Sequence, residues 1–142
     1  MKRTVYLLGT ALVISIIVFL SSVKPVRAYM DEDDVWSEPN GYAHAYVRGS
    51  WYRFGYPYYA VHHEADIFET LKGRAHFIGW DKNGNVLYNV WRYFSGTLHE
   101  EYAPPYYNVI QAAMTETWAP YSYPPSPYQE YAAAIIEPPG AR

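Results

Sequence analysis

Cysteine is absent from this 142-residue chain. The absence excludes disulfides, thiol catalysis, cysteine-ligated zinc, iron–sulfur clusters and c-type haem. The fold must therefore be held together by packing and hydrogen bonds alone.

Motifs that mark catalysis are missing too. The chain has no G-x-S-x-G nucleophile elbow, no glycine-rich phosphate loop and no H-E-x-x-H pair. Carboxylates do cluster, as in Glu100-Glu101 and in Glu64 with Asp66, but the sequence places no pair of them across a cleft. We expect neither enzymatic activity nor a cofactor.

One long apolar run is present, and it lies at the N-terminus. Residues 1–28 begin with Lys2 and Arg3, continue with an apolar core and end in Val26-Arg27-Ala28, the layout of a secretory signal. We therefore expect a secreted or extracytoplasmic protein. Without cleavage, residues 5–23 approach the length of about 20 that spans a bilayer and would act as a membrane anchor, the only membrane contact we expect.

Positive charge is scarce once this segment is removed. The full chain carries 11 basic and 14 acidic residues. Four of the basic residues lie in the first 28 positions, so seven remain against all 14 acidic ones and the net charge moves from −3 to about −7. An acidic surface is a poor match for nucleic acid, which we exclude as a partner.

Five histidines raise the question of a metal site. They are His44, His62, His63, His76 and His99. In a strand, His62 and His63 face opposite sides, whereas His62, Glu64 and Asp66 share one face at about 7 Å intervals. A cation there would need ligands from another strand, and a solvent-facing polar strand explains the pattern without one. We predict no metal site.

Hydrophobic periodicity is two rather than 3.6 through most of the chain, which predicts strands. The stretches 41–49 and 58–70 alternate, and 74–80 and 86–94 flank Asn83-Gly84, which predicts a hairpin with a type I′ turn. Further strands are expected at 97–103 and 106–118, although a helix at 109–116 is an alternative. The predicted fold class is an all-β antiparallel sandwich of immunoglobulin-like architecture.

The domain organisation follows from composition. Residues 29–40 form an acidic leader that contains the run Asp31-Glu32-Asp33-Asp34, and 41–118 form the sandwich. Residues 119–142 form a tail rich in proline and tyrosine, in which 128–137 is either a final strand or a short helix.

Aromatic residues are abundant: the chain has 17 tyrosines and five tryptophans. Several of them lie close together between residues 51 and 59. Their rings could bind a sugar or a protein, or they could close one end of the core. The candidate ligand-binding residues are Trp51, Tyr52, Arg53, Tyr56 and Tyr58.

The function that these observations favour is an exported, non-enzymatic interaction or structural module at the cell surface. Its partner is a protein or a second copy, in the latter case through addition of the apolar segment 131–136 to a neighbouring sheet edge. Two alternatives stay open. One is a carbohydrate-binding module that uses the aromatic residues to bind a glycan, and the other is a small secreted toxin resembling a bacteriocin.

Overall fold

The structure is a computed structural model that describes residues 29–51, 58–103 and 110–137. The predicted signal segment, 1–28, lies outside the described residues. Within the described ranges, no helix is long and apolar enough to cross a membrane.

Eight strands form two four-stranded antiparallel sheets. The strands are β1 (Tyr29–Trp36), β2 (Ala43–Trp51), β3 (Ala60–Ile67), β4 (Gly73–Trp80), β5 (Val86–Phe94), β6 (Thr97–Tyr102), β7 (Ala112–Ala119) and β8 (Glu130–Ile136). The first sheet has the order β1-β2-β3-β6, and the second has the order β5-β4-β7-β8. The prediction of an all-β antiparallel sandwich is confirmed.

Alternation along the strands separates core from surface as predicted. In β3, Val61, His63, Ala65 and Ile67 are buried while the residues between them are partly exposed. In β7, the buried face is the one that carries Thr115 and Thr117 rather than Met114 and Trp118. The hydroxyl groups of two threonines are therefore buried in the core. A buried hydroxyl lowers the stability of the fold unless it forms a hydrogen bond.

The predicted hairpin forms, but its turn differs from the prediction. A type I′ turn needs two consecutive positive φ angles, whereas only Gly84 has one, at 79°. The Asp81 carboxylate instead accepts the backbone N–H groups of Asn83 at 2.8 Å and Asn85 at 2.9 Å. The Asn85 side-chain amide, which donates to the same carboxylate at 3.0 Å, and these backbone bonds lower the pKa of Asp81. Because this carboxylate caps a five-residue loop, a single left-handed residue is enough to reverse the chain.

The predicted acidic leader begins with a strand of the sandwich. β1 pairs with β2 along its whole length. Its carboxylates also have inward partners: Asp31 accepts the Tyr58 hydroxyl at 3.0 Å, and Asp33 accepts the Ile135 N–H at 2.9 Å. Since backbone pairing and these contacts hold the segment, it is not a solvated arm.

The predicted tail also contributes a strand, which settles the choice between strand and helix at 128–137. β8 pairs with β7, and at its start the buried Glu130 carboxylate accepts the Ser37 hydroxyl at 2.7 Å and the N–H groups of Asn40 at 2.6 Å and Tyr42 at 2.7 Å. Burial alone would raise the pKa of Glu130, but these hydrogen bonds lower it. The sandwich thus extends beyond the predicted range 41–118 on both sides.

The core is narrow on one side and filled by rings on the other. Cα atoms of β2 come within 8 Å of those of β7 and β8, closer than the usual spacing of about 10 Å between packed sheets. Alanines make this approach possible, and they include Ala43, Ala45, Ala113, Ala132 and Ala134. On the other side, Phe77, Tyr88 and Tyr102 surround His63.

His63 links the two sheets through a directed chain of hydrogen bonds. The Thr115 hydroxyl donates its one proton to the Tyr46 carbonyl at 2.8 Å, so it must accept from His63 Nδ1 at 2.8 Å. His63 Nε2 is then the acceptor for the Tyr88 hydroxyl, at 2.6 Å. The ring is therefore the neutral Nδ1–H tautomer, and every polar atom of this buried chain has a partner.

Burial, with smaller contributions from His62 and His76, lowers the pKa of His63 to about 3. The unfolded chain binds a proton at this residue near pH 6.5, whereas the folded chain does not. The contribution of His63 to stability is therefore complete above pH 6.5 and is lost as the pH falls from 6.5 towards 3.

Replacing His63 by Gln removes the titrating group while leaving amide donors and acceptors. Between pH 6.5 and 4, we expect the free energy of unfolding of the wild type to fall by about 1.4 kcal/mol per pH unit more than that of His63→Gln. Urea unfolding at several pH values measures these slopes. His99→Gln, on the surface, is the matched control and should keep the wild-type slope; equal slopes for wild type and His63→Gln would contradict the assignment.

Candidate functional site: the aromatic face of the second sheet

Two of the five residues predicted to bind a ligand are in the core. Trp51 is 3% exposed and Tyr58 0%, and their rings stack with centroids 5.2 Å apart. The Tyr58 ring lies against Gly49, where a Cβ atom would come within 2.4 Å of it. These two rings thus present almost no surface to a ligand. The other three predicted residues, Tyr52, Arg53 and Tyr56, lie outside the described residues, so their role stays a prediction.

A different set of rings is exposed, on the outer side of the second sheet. We call this surface the aromatic face and define it by Arg74, His76, Trp91, Tyr93, Glu116, Trp118, Tyr121 and Tyr131. Three of its rings are well exposed: Trp91 at 39%, Tyr131 at 48% and Tyr93 at 69%. This surface was not among the predicted sites, although the outward positions of β4, β5, β7 and β8 each follow the period of two.

Strand register brings these side chains into rows. Across the sheet, Tyr93 lies opposite Arg74, Arg74 opposite Trp118, and Trp118 opposite Tyr131. Directly opposite residues on one face of a sheet have Cβ atoms about 5 Å apart, so their side chains pack together. Two pairs of consecutive strands, β4 with β5 and β7 with β8, thus supply one continuous surface.

Arg74 is at the centre of the aromatic face. Its guanidinium carbon lies 3.5 Å from the centroid of Trp91, 5.1 Å from that of Tyr121 and 5.4 Å from that of Trp118. Its Nη1 donates to the Tyr121 hydroxyl at 2.9 Å. Cation–π contacts of this kind stabilise by about 0.5 to 2 kcal/mol, so the guanidinium both holds the rings and remains a charge at the surface.

His76 fixes the neighbouring row. Its ring stacks on Trp91 with centroids 3.9 Å apart and an angle of 3° between planes. Its Nδ1 lies 2.6 Å from a Glu116 carboxylate oxygen, and the other oxygen of that carboxylate accepts the Tyr131 hydroxyl at 2.5 Å. Burial and this bond raise the pKa of Tyr131. The rings are therefore held in place before any partner binds.

The way the rings stack determines what the aromatic face presents to solvent. Trp118 has ring neighbours on two sides, with its centroid 5.7 Å from that of Trp91 and 5.1 Å from that of Tyr131. His76 and Arg74 lie against Trp91. The stacks therefore cover part of each ring, while Trp91, Tyr131 and Tyr93 remain exposed.

A pocket of about 380 Å³ opens at one end of the aromatic face. Its lining includes Lys72, Tyr93, Ser95 and Tyr121. Among the ion pairs of the described residues, none involves Lys72 or Arg74. The end of the aromatic face therefore combines two tyrosine rings with two cations that form no ion pair with any described carboxylate.

The outer side of the first sheet is chemically opposite. We call it the acidic face and define it by Glu32, Asp34, Glu64, Asp66 and Glu101, with His44, His62, His99 and Arg48 among them. Near one end of this face, His44 Nδ1 lies 2.6 Å from Asp66 and Nε2 lies 2.7 Å from Asp34. Trp36 stacks on the His44 ring with centroids 4.1 Å apart.

The residues best placed to hold a metal ion belong to the acidic face. Ligand atoms of His44, Glu64 and Asp66 lie within 4.8 Å of one another. The second strand that the sequence pattern required is thus β2, which supplies His44. Both nitrogens of that ring already lie within hydrogen-bond distance of carboxylates, those of Asp66 and Asp34. The cluster therefore pairs its own polar groups, and the expectation of no metal site stays a prediction.

A chelator tests that prediction. Because both nitrogens of His44 already have aspartate partners, we expect dialysis against EDTA to leave the melting temperature unchanged. Differential scanning calorimetry before and after dialysis is the measurement. A fall of several degrees that a divalent cation restores, and that His44→Gln abolishes, would contradict it.

Comparison of the chain with known protein families, with curated protein sequences and with solved structures found no match. The two sheets and their outer faces define an all-β sandwich without cysteine, with one aromatic and one acidic surface.

Proposed function

We propose that this protein is an exported, non-enzymatic interaction module and that its aromatic face binds a protein partner. The observation that carries the proposal is the cluster of exposed rings, Trp91, Tyr93 and Tyr131, around the partly buried Arg74. Tryptophan, tyrosine and arginine are the residues enriched where truncation most weakens protein interfaces.

Preorganisation supports the same conclusion. Ordering flexible side chains costs about 0.5–1.5 kcal/mol each when two surfaces associate. On the aromatic face, the stacks with His76 and Arg74 and the Tyr131–Glu116 hydrogen bond hold the rings before binding. Much of that cost is therefore already met by the folded chain.

A glycan is the alternative occupant of the same surface, because Trp91, Tyr93 and Tyr131 are exposed. The guanidinium of Arg74 among these rings favours a protein, since arginine joins tryptophan and tyrosine among the residues that dominate protein interfaces. The described residues offer no feature that favours a toxin. We do not propose that the apolar segment 131–136 binds the partner. It already pairs with β7, and the Asp33 carboxylate accepts the Ile135 N–H.

Two parts of the proposal rest on the sequence. Export to the cell surface rests on the signal-like residues 1–28. The immunoglobulin-like architecture is proposed only as two packed antiparallel sheets, since the order β1-β2-β3-β6 differs from the A-B-E-D order of immunoglobulin domains.

Site-specific photo-crosslinking in the cells that produce the protein tests the aromatic face. A benzophenone amino acid at Tyr93 or Tyr131 should give discrete protein adducts, because both positions lie at the proposed contact. The same probe at Asn83, an exposed position at the hairpin tip, is the matched control and should give none. Binding to a glycan array that Trp91→Ser abolishes, or equal adducts at all three positions, would contradict the proposal.

A further inference from the structure

We infer that the partner is a second copy of this chain, and that the aromatic face of one copy binds the acidic face of the next. The inference rests on the proposed function and names its partner. It follows from the opposite chemistry of the two outer surfaces of one sandwich.

The acidic face has an excess of negative charge. Five carboxylates lie on it, against one arginine, Arg48. Two of the carboxylates, Glu32 and Glu101, are exposed and lie in one row across the sheet with Arg48 and His62 between them. These two are at the outer strands, β1 and β6, where a neighbouring molecule would reach them.

The aromatic face carries the complementary charge. Lys72 and Arg74 lie two residues apart at its pocket end, and neither forms an ion pair with a described residue. Its carboxylate, Glu116, is already taken by His76 and Tyr131. Two aromatic faces placed against each other would leave all four of these cations without a free carboxylate, whereas the acidic face supplies the exposed Glu32 and Glu101.

The two contact surfaces are different patches on opposite sides of one molecule. Such an interface is heterologous, and unless a rotation closes it into a ring it repeats as an open chain of copies. The sandwich has one aromatic and one acidic face, so each copy has one neighbour on each side.

The size of the interface sets its strength. Four strands about 4.8 Å apart and about 25 Å long give a face of roughly 400–500 Å² per copy. That is below the roughly 800 Å² per partner of a standard stable interface. We therefore expect association in the micromolar range that weakens as salt screens the charges.

Substitutions that reverse the charge of each face test the inference. The protein is taken in the form that producing cells export, and sedimentation velocity follows it from about 5 to about 500 µM at low and at high salt. The variants are Lys72→Glu on one face and the pair Glu32→Lys with Glu101→Lys on the other. Lys82→Glu, on the loop after β4, makes the same charge change away from both faces and is the matched control.

We expect the wild type and Lys82→Glu to gain mass with concentration, with at least tenfold weaker association for either face variant alone. An equimolar mixture of the two face variants should regain association, because each then meets a face of opposite charge. A wild type that stays monomeric, or a Glu32→Lys/Glu101→Lys variant that associates normally, would overturn the inference. Crosslinks from Tyr93 to a different protein would still leave the proposed function standing, whereas absence of any crosslink would remove both.

Discussion

The hydrogen-bonded chain through His63 is the constraint on which the rest of this structure depends. It joins β5, β3, β7 and β2 by way of the Tyr88 hydroxyl, the His63 ring, the Thr115 hydroxyl and the Tyr46 carbonyl. A buried polar network of this kind stabilises only when every member is satisfied, since each unpaired group costs about 1–3 kcal/mol. A shift of one sheet relative to the other would break several of these bonds at once. In a protein without disulfides, this chain fixes how the sheets are stacked.

Fixed stacking also fixes the outer faces. Successive side chains of a strand point to opposite sides, so His63 and Thr115 in the core place Glu64 and Glu116 outside. In the first sheet, that alternation produces a surface of carboxylates and histidines; in the second, it produces stacked rings around Arg74. The contrast between the two faces is therefore a consequence of the core, and it underlies the proposed assembly.

Much of the fold could be predicted from local sequence patterns. Most of the site could not, because it depends on contacts between strands that the fold brings together. The alternation in 58–70 and the turn residues Asn83-Gly84 act within a few positions, so they predicted β3 and the hairpin correctly. The acidic run at 31–34 hid β1, because like charges suggest a solvated arm until β2 is known to pair with it. The aromatic face combines residues from four strands, from Arg74 to Tyr131, and only the sheet order brings them together.

The central claim is that two unlike faces of this sandwich meet between copies. The five tryptophans include natural probes of it: Trp36 on the acidic face, Trp91 and Trp118 on the aromatic face and Trp51 in the core. The most direct measurement is the set of indole N–H signals in ¹H–¹⁵N NMR spectra as the protein concentration rises. The account predicts concentration-dependent shifts for Trp36, Trp91 and Trp118 together, with Trp51 unchanged. Shifts confined to one face, or none at millimolar concentration, would contradict it.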